Sequence, residues 1–303
     1  MGLFSLFYNN FWFIGRRVRL DKLPWNIQRA IARYEPIPFE NATLFPITME
    51  EYEEFTVARQ AIEFMQQQFK DVRLMSMPIL QAYYEVDSAL AARGEPTTNL
   101  FFCSLLSLAL AFRLAQGKDI NERVQQIQIA LSHDGRKTLK CLRIPLSDGS
   151  YAEITPAKFQ KLRAIIAAQN GLELEADEAN PDLVQSKRDM QSNNAPALDA
   201  RIEVFVSSVA ALSSTEEAEI YRWPILKFER RAAAIKRAMD YMVYTTAELQ
   251  GTKWKGGNPT PNPWFDRKSN DLGLIAMGEF TKGQAVQTQS GGFAPPLPTT
   301  SQD

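Results

Sequence analysis

Two pairs of adjacent carboxylates, Glu50-Glu51 and Glu216-Glu217, come closest to acid–base chemistry in this 303-residue chain. A general acid and a general base need carboxyls whose surroundings push their proton affinities apart. Each pair instead opens a helical pattern, where acidic side chains complement the positive end of the helix dipole. Thr48 stands three residues before Glu51. That is the spacing of a capping box, in which the hydroxyl accepts from the third helical N–H and the carboxylate reaches back. Capping explains both pairs without catalysis. The one histidine, His133, precedes Asp134-Gly135 in a tight-turn pattern and is a poor triad base. Cys103 sits in an apolar run and Cys141 in a strand pattern, which suits reduced core residues, and nothing in the sequence calls for a disulfide. Two cysteines cannot build a thiolate-rich zinc site. There is no Gly-rich phosphate loop followed by Lys-Ser or Lys-Thr, and no dinucleotide fingerprint after a strand. The expectation is a non-enzymatic protein without cofactor or metal.

Residues suited to binding cluster late in the chain. Arg230-Arg231 and Lys236-Arg237 read as the solvated side of a helix. Met239, Tyr241, Met242 and Tyr244 suit either an adaptable groove or a core face, since thioethers and aromatics repack readily. Trp254, Trp264 and Phe265 lie in a Pro- and Gly-rich stretch, where large aromatics either fold back as a latch or stand out as anchors for another chain. The candidate partner-binding residues are therefore Tyr241, Tyr244, Trp254, Trp264 and Phe265.

Composition narrows the partners. Lys and Arg total 34 against 35 for Asp and Glu, so no general attraction to nucleic acid or to anionic membranes is expected. The apolar run Leu100–Phe112 is shorter than the ~20 residues a bilayer span needs, and predicts a helix covered on all sides at the axis of the core. At the start, no positive charge precedes the apolar Leu3–Tyr8, unlike an export signal. Leu6 stands where a myristoylation pattern wants Ser or Thr.

The elements that must position these residues can be read from periodicity. Phe228, Ala232, Ile235, Met239, Met242, Thr246 and Leu249 alternate in steps of four and three, the mark of one helix face. Pro224 suits its first turn and Gly251 its stop. Upstream, helices are predicted from about Trp25 to Tyr34, from Thr48 to about Lys70, from Pro78 toward Arg93-Gly94, from Thr155-Pro156 to Asn170-Gly171, from Ala197 to Leu212, and briefly after Ser214. Between about 125 and 155 the turns Asp134-Gly135 and Asp148-Gly149 bracket a three-stranded meander. The predicted fold class is mainly α, a helical protein with a small antiparallel β-meander insertion. Its predicted organisation is an aromatic and basic arm over 1–40, a helical domain over 41–172, a polar linker over 173–195, a C-terminal helical unit over 196–267 and a disordered tail over 268–303.

Several segments, in order, resemble a family of tail-assembly-associated proteins from long-tailed phages and prophages of Gram-positive hosts. They are Phe45–Phe55, Met75–Leu80, Ile154-Thr155 with Phe159–Ile166 and Gln169-Asn170, Ile220-Tyr221 to Phe228–Arg230, Tyr241 to Gly251, and Trp264-Phe265. The resemblance excludes both ends and rests on the ordered set, each piece being a helix signature. It implies an assembly chaperone for the phage tape-measure protein that also meets tail-tube subunits, acting in the host cytoplasm. The alternative is a structural component of the virion, in tail, connector or baseplate. Self-association as a homo-oligomer stays open.

Overall fold

The computed structural model describes residues 23–69, 71–132, 138–172, 174, 201–253, 258–260 and 262–263. It is mainly helical with two small antiparallel sheets. Two compact units divide between Ala233 and Ala234.

The first unit starts with α1 (Trp25–Arg33), which stops where Tyr34 turns left-handed at φ 61°. A short hairpin follows, β1 (Ile37–Phe39) against β2 (Ala42–Leu44). A 3-10 turn, Met49–Glu51, then leads into α2 (Tyr52–Glu63). After it come α3 (Val72–Ser76), α4 (Ile79–Ala92) and α5 (Leu100–Ala111). Helix α5 is the core's axis, as its composition predicts: Cys103 through Ala111 are all buried. Its serines tolerate this because Ser104 donates to the Leu100 carbonyl at 2.9 Å and Ser107 to that of Ser104 at 2.7 Å, leaving no unpaired hydroxyl. The N-terminus of α5 is held from another helix. Asp87 on α4 accepts from the N–H groups of Thr98 (2.8 Å) and Phe101 (2.9 Å).

The meander follows the short α6 (Ile120–Gln125) and comprises β3 (Gln128–Leu131), β4 (Leu139–Pro145) and β5 (Tyr151–Ile154), paired antiparallel in chain order. A register shift between Ala130 and Leu131 bends its edge. Gly149, at φ +81°, supplies the left-handed corner of the second Asp-Gly turn, and the Asp148 carboxylate accepts from both Ser150 groups. The first such turn, with His133, lies outside the described residues. Helix α7 (Pro156–Gln169) begins as expected: Thr155 accepts from the Lys158 N–H at 3.3 Å and Pro156 occupies the first turn. The unit closes with α8 (Ile202–Ser213), α9 (Glu217–Tyr221) and the start of α10 (Ile225–Leu249).

Three expectations change. The capping box at Thr48 does not form: Thr48 makes no side-chain cap, and Glu51 turns into the interior toward Arg123. Burial beside a cation outweighs a cap exposed to water. The helix expected to reach Lys70 ends at Glu63. Phe64 and Phe69 there turn inward onto Tyr83, with ring centroids 5.6 and 6.2 Å away, and the guanidinium of Arg163 takes the carbonyls of Ile62 and Phe64. Finally, residues 201–233 belong with the first compact unit, not with a separate unit over 196–267. The Met49 N–H donates to the Trp223 carbonyl and the Ile225 N–H to that of Ile47, each at 2.9 Å, an isolated bridge that local periodicity cannot reveal. The expected linker is almost wholly outside the described residues, and the expected tail entirely so.

In the second unit α10 runs on to Leu249. Gly251 at φ +90° stops it, its N–H donating to the Glu248 carbonyl while that of Thr252 donates to the Ala247 carbonyl, which satisfies two carbonyls of the last turn.

Candidate helix-binding surface

One member of each acidic pair takes a structural role. Glu51 accepts from Arg123 Nη2 at 2.8 Å, with the two side chains 9% and 3% exposed. Nε and Nη1 of the same guanidinium have no protein acceptor. Glu217 accepts from the Ser207 hydroxyl at 2.6 Å, linking α8 to α9. Cys103 and Cys141 are both free thiols and buried, and burial pushes the Cys103 thiol up, away from the reactive thiolate. Among the described residues no group of three His, Cys, Asp or Glu side chains is placed to hold a metal ion, and no helix is long and apolar enough to cross a membrane.

The basic cluster on α10 is tied down locally. Arg230 lies over the Tyr34 ring, 5.4 Å from its centroid, and Nη1 donates to the Tyr34 hydroxyl at 3.4 Å. Lys236 pairs with Asp240 one turn on at 2.7 Å. Of the four basic residues only Arg231 is exposed, whereas Arg230, Lys236 and Arg237 are half-buried, so the cluster is less solvated than its sequence pattern predicts.

What distinguishes α10 is the fate of its apolar stripe. Phe228 and Ala232 are buried in the first unit, Ile235 and Met239 are half-buried, and Met242, Thr246 and Leu249 are exposed. Met242 is 59% and Leu249 84% exposed, and Val243 beside them 41%. A run alternating in threes and fours is the a/d pattern of a coiled-coil seam, which another helix closes by knobs-into-holes packing. A helix that needed only solvent around its last four turns would carry polar residues there.

The sequence-based candidates divide around this seam. At 3.6 residues per turn, Tyr244 falls opposite it and Tyr241 on the outer flank, both half-buried. They do not share a groove with Met239 and Met242. Trp254, Trp264 and Phe265 lie outside the described residues.

Sequence reasoning missed Arg123 and Arg163. Arg163 carried a signal, since it interrupts the apolar face formed by Phe159, Leu162 and Ile166. Arg123 carried none, because its segment is polar and short. Asn170, expected only as a helix end, accepts the Ile47 N–H at 3.0 Å across the fold.

Compared with protein-family models, with curated proteins and with solved structures, the chain gives no match.

Proposed function

We propose that this protein is a phage tail-assembly chaperone that binds helical segments of the tape-measure protein through the exposed half of α10. The observation that supports this most is the a/d seam whose last members, Met242 and Leu249, stand in solvent. Exposed apolar seams of this kind mark protein interaction sites. The ordered resemblance to tail-assembly proteins supplies the biological setting. A tape measure is a long helical chain whose apolar faces would aggregate before the tube forms around it, and a helix offered in trans covers such faces reversibly. Thioethers at Met239 and Met242 adapt to varied partner side chains, as repeated docking along a long rod requires.

The test is co-expression with the tape-measure protein from the same gene cluster. The expected result is a soluble tape measure that co-purifies with this chain, and loss of both on changing Met242 and Leu249 to Glu. Unchanged tape-measure solubility without co-purification removes the assignment. Mass spectrometry of purified particles is the second arm: a stoichiometric amount of this chain in the virion would make it a structural component instead.

A further inference from the structure

We propose that Trp264 and Phe265 fold back on α10 as an intramolecular strap, docking against Tyr241 and Arg237 on the side of the helix away from the seam. Strap and docking row both belong to the second compact unit. Only the consequence for the seam rests on the chaperone reading above.

Burial along the distal half of α10 is the reverse of what its composition asks. Arg237, Tyr241, Tyr244 and Glu248 follow one another in steps of four, three and four, so they form one row on the side away from Met242, Thr246 and Leu249. Those three stripe members are exposed, yet Arg237, Tyr241 and Tyr244 are half-buried. A helix with water on every side would not shelter its polar row and bare its apolar one. The row is therefore covered.

The chain that follows the helix is placed to cover it. Residues 251–253 are exposed, but Asn258 returns to α10, where its Nδ2 donates to the Glu248 carboxylate at 2.9 Å. From there Asn258, Thr260, Asn262 and Pro263 are half-buried while Pro259 is exposed, which fits an extended segment with one side against a surface. Among the described residues, α10 is the one element of this unit, so that surface is the row beginning at Glu248. The other direction would carry the segment past Leu249, off the end of the helix. Prolines at 259, 261 and 263 keep it from coiling. Fully extended, the six steps from Asn258 to Trp264 reach about 19 Å. The turn in which the Thr260 N–H donates to Asn258 Oδ1 at 2.9 Å shortens that reach. Along α10, Tyr241 lies about 10 Å and Arg237 about 16 Å from Glu248. Trp264 and Phe265 thus arrive at a phenol ring and a guanidinium, which suit edge-to-face and cation–π contacts.

A short helix is marginal in water without packing, and the bare seam gives the end of α10 no support on its apolar side. The strap supplies support on the other side. A partner then meets a seam that is already helical and does not bear the cost of ordering it.

Hydrogen exchange of the full chain, read by mass spectrometry with no partner present, tests the strap. Trp264→Ala with Phe265→Ala should speed amide exchange over residues 240–249 about tenfold and leave the first unit unchanged, while Trp264→Phe should keep most of the protection. The fluorescence lost in Trp264→Phe should be blue-shifted and poorly quenched by acrylamide, as for a covered indole. Unchanged exchange over 240–249 in the double variant, or a Trp264 emission typical of an indole in water, overturns the proposal. If that variant keeps its exchange pattern but loses tape-measure capture, the two aromatics are anchors for the partner instead. A strapped chain can fail to capture the tape measure, and capture through Met242 and Leu249 can proceed without a strap, so this inference and the functional reading fail separately.

Discussion

Glu51 and Arg123 show how much a single buried contact is worth in this fold. Each is a charge removed from water and compensated mainly by the other, so removing one partner leaves the other stranded. Glu51→Ala should lower the unfolding free energy by about 3–5 kcal/mol in urea titration, whereas the joint change to Leu and Met should recover most of it. Gly171 is a second such point. It sits at φ +75°, and a Cβ there would collide with the Glu229 carboxylate, itself buried. Gly171→Ala should cost about 1–2 kcal/mol for the left-handed backbone alone, readable as a drop in thermal midpoint. The buried phenols set an alkaline limit. Burial pushes Tyr52 up to about 12 and Tyr83 further still, both from 10.0. Above pH 10 the unfolded chain loses these protons while the folded one keeps them. Their contribution to stability is thus complete below pH 10 and is lost as pH rises toward 12 and beyond. Tyr52→Phe should flatten that decline in denaturation curves measured across the window.

Helix α10 behaves as two helices in one. Its first turns carry Ile225, Leu226, Phe228 and Ala232 into the first unit, and its last turns expose the same stripe. Substitutions should divide accordingly. Phe228→Ala should destabilise by about 3–5 kcal/mol, as large buried aromatics do. Leu249→Glu, at a site already in solvent, should change stability by no more than about 0.5 kcal/mol yet abolish partner capture. A pair of variants with opposite effects on folding and binding would separate the two roles in one denaturation series and one pull-down. Helix α2 shows the complementary case, an element whose end is fixed from outside: Arg163 donates to the Ile62 carbonyl at 2.7 Å, where the chain would otherwise leave helical carbonyls unpaired.

Across the molecule, Cys103 on α5 and Cys141 on β4 report on the same first unit from two different elements. Both thiols are buried, so neither should react with a disulfide reagent until the unit opens. The two labelling rates should coincide with each other and with the unfolding rate under strongly labelling conditions. Two well-separated rates would mean that the helical layer and the meander open independently.

Periodicity and punctuation make most elements legible in the sequence alone. Pro78, Thr155-Pro156, Pro224 and Gly251 mark ends that the structure places within a residue or two, and the apolar run at Leu100–Phe112 is the buried axis that its composition predicts. The candidate surface was legible as a stripe, though not as an exposed one. These features depend on neighbours along the chain, whose steric and hydrogen-bonding preferences are written in adjacent residues. Glu51's turn inward to Arg123, the early end of α2 and the join of residues 223–225 to 47–49 depend instead on groups far apart in sequence. So does the exposure of Met242 and Leu249 on a stripe that begins buried. Burial belongs to the packed fold, where distant segments compete for the same space and the same hydrogen-bond partners, and no local pattern records which of them wins.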